Sequence, residues 1–303
     1  MKPAPILLFV YNRPRHVERG LASLLQNAEA RDSELYVFSD AARSTADETA
    51  VAQVRRIVRG ITGFKQVHII ERTENWGLAR NVIDGVSTVV NLHGRAIVLE
   101  DDLVLSPYFL RFMNEALETY EDEPRVGHIQ ACDFTQDMAL PDTFLIQWTG
   151  SWGWATWQRA WAHFNPDGRE LLRQLEERGL TRRFDFNGKY GFTRMLRRQI
   201  KGKNNSWAIR WNASLFLEGI LSLNVGRSLV SNEGLDGSGT NSLSGDPYVS
   251  DLWMEPLEVE KISPIAENEE ARRAFERYYA RTNNLRVKVP RRLRNMLKSY
   301  FRP

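Results

Sequence analysis

Apolar and polar positions alternate in two textures over the first 130 or so residues. Pro5–Val10 (PILLFV) is an unbroken apolar run stopped by Asn12 and Pro14, the pattern of a strand buried on both faces. Arg15–Gln26 then places Val17, Leu21, Leu24 and Leu25 on one face of a helix. The pair repeats: a strand over Leu35–Phe38 and a helix over Thr45–Ile61, a strand over Val67–Ile70 and a helix over Leu78–Leu92, a strand over Ala96–Leu99 and a helix over Tyr108–Tyr120. Val126–Ala131 reads as a fifth strand. Strands alternating with amphipathic helices predict an α/β fold whose mostly parallel sheet carries helices on its faces. Such sheets bind ligands beyond the carboxyl ends of their strands.

After about Asp133 the pattern changes. Five tryptophans, Trp148, Trp152, Trp154, Trp157 and Trp161, crowd into one short stretch. The spacing predicts helices over Trp154–Phe164, Gly168–Arg178 and Asn212–Glu218, then a strand over Ile220–Ser231 and a Gly-rich loop, Gly234–Gly239. No linker or repeat interrupts the chain. The expected organisation is one domain over residues 1–285, with a nucleotide-binding half (1–132) and an acceptor-binding half (133–285), followed by a tail over 286–303.

Composition narrows the classes. The 303 residues, 42% hydrophobic and 26% charged, exclude wholesale disorder. The single cysteine, Cys132, permits no internal disulfide, and the five scattered histidines offer no zinc-ligand spacing. The apolar runs are strand-length, and the start lacks the features of a secretory signal, so a cytoplasmic location is expected. Nine basic and no acidic residues lie between Arg277 and Pro303. They outweigh the total of +3 and leave −6 on residues 1–276. A mildly acidic body with a basic tail argues against nucleic acid as partner. No G-x-S-x-G elbow, phosphate-binding G-x-x-x-x-G-K-[ST] loop or G-x-G-x-x-G after the first strand is present.

The sharpest chemical signal is Glu100-Asp101-Asp102, directly after the apolar strand Ala96–Leu99. Adjacent carboxylates repel, and a hard divalent cation relieves that repulsion; the plain alternative is an acidic turn. Two other strand ends carry polar residues: Arg13 offers a guanidinium suited to a diphosphate, and Asp40 a carboxylate suited to a nucleobase N–H. Each has the alternative reading of a loop residue. Trp154, Trp157 and Trp161, spaced as one helix face, read as core; Trp152 is the better sugar-stacking candidate, and Trp207 has both readings.

These motifs resemble the nucleotide-sugar-dependent glycosyltransferases of the GT-A fold, the family-2-like bacterial sugar transferases, with an echo of the N-acetylglucosaminyltransferase I group. The resemblance covers roughly Pro5 to Asn241. It rests on Phe9–Arg13, Phe38–Asp40, Glu74–Asn81, Leu99–Asp102, Ser151–Trp157 and Asn232–Gly239. It implies that Glu100-Asp101-Asp102 is a variant of the DxD motif, with Asp102 contacting Mn2+ or Mg2+ directly and Glu100 and Asp101 beside it. It implies further that Arg13 meets the diphosphate, Asp40 the base, and that Asn75 and Arg80 border the nucleotide. Trp152 and Trp207 are the expected acceptor contacts.

The implied reaction moves a sugar from a nucleotide-diphosphate donor to a hydroxyl of a glycan or lipid-linked acceptor, as in bacterial cell-surface polysaccharide synthesis, with inversion. The segment that carries the catalytic acid in the Golgi relatives has Ala208 here. Asp236 is the chosen base, Asp133, Asp185 and Glu218 stay open, and so does a retaining mechanism without a dedicated base. The alternatives are a non-catalytic sugar- or nucleotide-sugar-binding module, or a nucleotidyltransferase, which would want glycines that Tyr11–Val17 lacks. The tail has an amphipathic basic pattern, read either as a peripheral anchor on the anionic inner face of the plasma membrane or as a helix packed on the domain.

Overall fold

The computed structural model describes residues 3–135, 137, 139–234 and 251–283. The first half follows the alternating pattern: β1 (Ile6–Val10), α1 (Pro14–Leu24), β2 (Glu34–Ser39), α2 (Thr45–Arg59), β3 (Gln66–Glu71), α3 (Gly77–His93) and β4 (Arg95–Glu100). Local chemistry sets the ends. Pro14 opens α1, where its missing N–H costs nothing, and Gly94, at φ 80°, closes α3 in the left-handed conformation that glycine adopts freely. Then come β5 (Leu103–Leu105), α4 (Phe109–Thr119), β6 (Val126–Gln130), β7 (Thr143–Ile146), β8 (Trp154–Trp157), α5 (Gln158–Trp161), α6 (Gly168–Glu177), α7 (Thr181–Phe184), α8 (Phe192–Ile200), α9 (Trp207–Leu217), β9 (Leu221–Val225), β10 (Val230–Asn232) and α10 (Glu269–Thr282).

One eight-stranded sheet runs in the order β3-β2-β1-β4-β8-β6-β9-β7, and β5 pairs with β10 in a separate ribbon. The strands β3, β2, β1 and β4 are parallel; β8 runs antiparallel to both β4 and β6. In that register Val98 faces Trp154 and Trp154 faces Gln130. The carboxyl ends of β4 and β6 therefore meet the start of β8 on one edge of the sheet, together with the ends of β1 and β2. The mixed α/β architecture agrees with the expected GT-A type, and four of the seven neighbouring strand pairs in the large sheet are parallel.

Each strand of the parallel group feeds two cores. Ile6, Leu8 and Val10 pack toward α1, α2 and α4, while Leu7 and Phe9 pack toward α3 and the aromatic group of Trp154, Trp161, Trp207 and Trp211. α3 approaches closely because residue 85 is glycine: a Cβ there would stand 2.8 Å from the Phe9 ring. A third core, under α6 to α10, joins Phe184, Phe186, Phe192, Phe216 and Phe275.

Three element expectations are corrected. The helix expected over Trp154–Phe164 is a strand and then a single helical turn, because Trp-Ala-Thr-Trp fits a pleat between β4 and β6. Trp154 and Trp157 thus point to opposite cores, and both are buried as expected of core residues. The strand expected over Ile220–Ser231 divides into β9 and β10, and the helix before it starts earlier, at Trp207 with Ser206 as cap. Among the described residues no helix is long and apolar enough to cross a membrane.

Candidate active site

The register of β1 against β4 sets Phe9 beside Glu100, so the chain leaving β1 passes over the acidic triplet. Tyr11 N–H donates to Asp101 Oδ2 at 3.3 Å. The Arg13 guanidinium donates through Nη2 to Asp101 Oδ1, and its Nη1 lies 3.0 Å from Asp102 Oδ2. Arg13 and the triplet are therefore brought together, with Arg13 as the counter-ion of two carboxylates. Burial works against the charge on Arg13, and Asp101 and Asp102 more than offset it, so its pKa is raised.

One guanidinium does not balance three carboxylates. Burial, then Asp102 and Asp101, push Glu100 up to about 8. Burial also raises Asp101, against the pull of Arg13. Asp102 Oδ1 is buried without a hydrogen-bond partner. An unmatched oxygen in a corner with surplus negative charge is a position a hard cation fits. Among the described residues no three Asp, Glu, His or Cys side chains converge on one point. Mg2+ and Mn2+ need only one or two protein carboxylates and leave further positions to water and phosphate oxygens.

A second wall comes from the far end of the chain. Glu233 N–H donates to the Asp102 carbonyl at 2.9 Å, and β10 pairs Asn232 with Leu103. Gly234 lies so close that a Cβ would stand 2.2 Å from Asp102 Oδ2 and 3.0 Å from Arg13 Nη1. Only glycine lets the backbone come this near. Asp236 lies outside the described residues, as does most of the Gly-rich loop.

On the nucleotide side, Asp40 is placed at the end of β2 as expected but is already engaged. Its Oδ1 accepts from the N–H of Ala41 and of Trp76, each at 2.9 Å. Its Oδ2 accepts from Gly77 N–H at 2.8 Å and Asn75 Nδ2 at 3.1 Å. The carboxylate thus fastens the start of α3 to the end of β2, and Asn75 belongs to the same clasp. Arg80 is exposed and sits with its guanidinium 3.7 Å from the Trp76 ring centre, matched by Arg72 at 3.7 Å. Two planar cations at that height occupy opposite faces of the indole. Arg72 follows β3 directly; it went unnoticed in the sequence, although a cation at a third strand end was the available signal.

The acceptor-side residues divide. Trp152 is half-buried on the same sheet edge. It is held by a chain of hydrogen bonds: Trp211 Nε1 donates to His128 Nδ1 (3.1 Å), His128 Nε2 faces Gln130 Oε1 (3.4 Å), and Gln130 Nε2 donates to the Trp152 carbonyl (3.0 Å). Full burial lowers His128 to about 3, so it is neutral here. Trp207 is corrected: it is 3% exposed and stacked on Trp154, which leaves no face for a sugar. Of the open base candidates, Asp133 follows β6 on the correct edge, buried and accepting from Thr135 N–H and Oγ1. Asp185 accepts from Thr193 N–H at the start of α8, and Glu218 precedes β9, at the opposite edge of the sheet.

No curated protein matches the chain. A mannosyltransferase from Pyrobaculum calidifontis, PcManGT, solved in complex with GDP-Man and Mn2+, is 17% identical with a TM-score of 0.37, over 58% of this chain and 47% of its own. TarS of S. aureus is 12% identical with a TM-score of 0.32, over 46% of this chain and 23% of its own. The chain thus spans less than half of either neighbour. Neither these two structures nor the matching family model shows the expected likeness to the N-acetylglucosaminyltransferase I group. The family model for glycosyl transferase family 2 matches residues 6–202, a stretch that includes the acidic corner, the Asp40 clasp and the Trp152 loop. With most of its length matched in this way, the chain belongs to glycosyl transferase family 2.

Proposed function

We propose that this chain is a glycosyltransferase that takes its sugar from a nucleotide-diphosphate donor, with a divalent cation at Asp102, and delivers it to a hydroxyl of a glycan or lipid-linked acceptor. The observation that carries the reading is the buried, unmatched Asp102 Oδ1 beside Glu100 and Asp101 at the end of β4. A cation held there supplies electrostatic stabilisation to the departing diphosphate. Arg13, already charged and fixed within reach of both aspartates, is the group we assign to the diphosphate oxygens. The clasp around Asp40 and Asn75 sets the start of α3, and Arg80 with Trp76 forms the adjoining surface for the nucleoside. This shifts Asp40 from base contact toward support of that wall.

Trp152 is assigned to the acceptor side, where its ring would lie along a sugar face. Asp236 stays the proposed base, in an inverting reaction; its described neighbour Gly234 rests against Asp102. The enzyme is proposed to work in the cytoplasm, with residues 286–303 as a peripheral contact to the inner membrane face; these lie outside the described residues. Asp102→Asn tests the core of the proposal. Metal-dependent transfer should fall about a hundredfold or more, with the melting temperature held or raised, because surplus negative charge is removed. Turnover equal to wild type in that variant would overturn the assignment.

A further inference from the structure

Between Asp185 and Glu218 the chain contains seven Lys or Arg residues and no Asp or Glu. α8 lies at the centre of this stretch. Its Phe192, Thr193 and Leu196 are buried against the third core, while Arg194, Arg197 and Arg198 are exposed, followed by exposed Lys201 and Lys203. Arg197 pairs with Glu176 of α6 at 2.8 Å. The other acidic groups around the helix are also taken. Glu170 and Glu177 pair with Arg173, Glu276 accepts from Asn187, and Asp185 accepts from Thr193 N–H. No described carboxylate is paired with Arg194, Arg198, Lys201 or Lys203.

Helix stability does not account for this face. Cations in the last turn complement the helix dipole, but Arg194 stands in the first turn, where a positive charge is disfavoured. Arg194, Arg198 and Lys201 follow at four- and three-residue intervals, a row about 10 Å long on one side of the helix. All three are exposed, on the side of α8 opposite the buried Phe192, Thr193 and Leu196.

The described chain also arrives at this place. Asn283, the residue at which it ends, donates through Nδ2 to the Lys189 carbonyl at 3.2 Å, and the Tyr279 ring lies 4.5 Å from that of Tyr190. Residues 284–303, which follow it in the sequence, contain seven Lys or Arg residues and no acidic one, so they supply no counter-charge to the α8 face. A cationic helix face with no carboxylate paired to Arg194, Arg198, Lys201 or Lys203 among the described residues calls for an anionic partner from outside.

We infer that the outer face of α8, centred on Arg194 and Arg198, is a docking surface for an anionic phospholipid bilayer. It is independent of the acidic corner at β4 and does not rest on the donor assignment. Each Lys or Arg near an anionic membrane surface strengthens binding about fivefold, so R194Q/R198Q removes a factor of roughly 25. The test is co-sedimentation of the full chain with phosphatidylcholine vesicles, with and without phosphatidylglycerol. Arg31→Gln with Arg56→Gln, the same charge change on exposed residues of the other half, is the control.

The expected result is binding that requires phosphatidylglycerol, weakens with salt, drops about 25-fold in R194Q/R198Q and changes far less in the control. Equal partitioning of R194Q/R198Q and wild type would overturn the inference, and would leave residues 284–303 as the whole contact. Equal loss in both double variants would overturn it as well, showing net charge alone at work. Vesicle binding unchanged in R194Q/R198Q, with retention on an immobilised acidic polysaccharide lost, would assign the face to a glycan instead.

Discussion

Replacing Asp40 by Asn separates a clasp from a ligand contact. The side chain keeps its volume, so no cavity term enters. One of its two acceptor positions becomes an NH2 group facing either the Ala41 and Trp76 N–H groups or the Asn75 and Gly77 donors. Two charge-assisted hydrogen bonds are lost, two donors are left facing a donor, and the two surviving bonds are weakened. Hydrogen bonds to a charged group contribute about 1.5–3 kcal/mol each, and local relaxation recovers part of the loss. A carboxylate at the start of α3 adds about 0.3–1 kcal/mol through the helix dipole. The expected destabilisation is about 3 kcal/mol, or roughly 6 °C in melting temperature for a chain of this size. Urea unfolding followed by tryptophan fluorescence reads it as a lower midpoint at unchanged slope. A loss below about 1 kcal/mol, with donor binding alone impaired, would refute the clasp and return Asp40 to the base.

Two further outcomes are expected. His128 is held near pKa 3 by burial, below its unfolded value, so its contribution to stability is present above about pH 6.5 and is lost as pH falls toward 3. At about pH 5 that loss is on the order of 2 kcal/mol in the wild type, and His128→Asn should flatten the corresponding slope of urea midpoint against pH. Glu267→Ala takes from the buried Arg272 the nearer of its two carboxylates, at 3.0 Å against 3.6 Å for Glu276, and removes the carboxylate partner of Arg183. A cost of about 3 kcal/mol is expected by thermal or chemical unfolding, with donor affinity little changed.

The sequence was most readable where one physical pattern dominates. The runs over Ile6–Val10 and Ala96–Leu99 are apolar on both faces because helices cover both sides of those strands, and such runs admit few other structures. The acidic corner was readable for a related reason: three carboxylates after a buried strand conflict with everything around them unless a charge answers. Trp154–Trp157 was misread because its tryptophan spacing fits a helix, while its place between β4 and β6 is a long-range pairing that no local pattern reports. β5 escaped because three residues carry too little periodicity, and its partner lies more than 120 residues away. Asp40 was placed correctly but its neighbours were not, since three of its four donors are backbone or side-chain groups from the turn before α3. The basic face of α8 was overlooked because charge was summed over the whole body, where the acidic residues of other segments hide it.

The two walls that meet at Asp102 differ in how firmly each is anchored. α3 is pinned at its start by the Asp40 clasp and along its length by the tight seating of Gly85 on Phe9. The opposite side hangs on three residue pairs between β5 and β10, a ribbon of the length that is marginal by itself. Thermal fluctuation will therefore concentrate on the strand that carries Asn232, Glu233 and Gly234, while the side carrying α3 stays put. Any adjustment of this corner to cargo of different bulk has to be made by that looser margin.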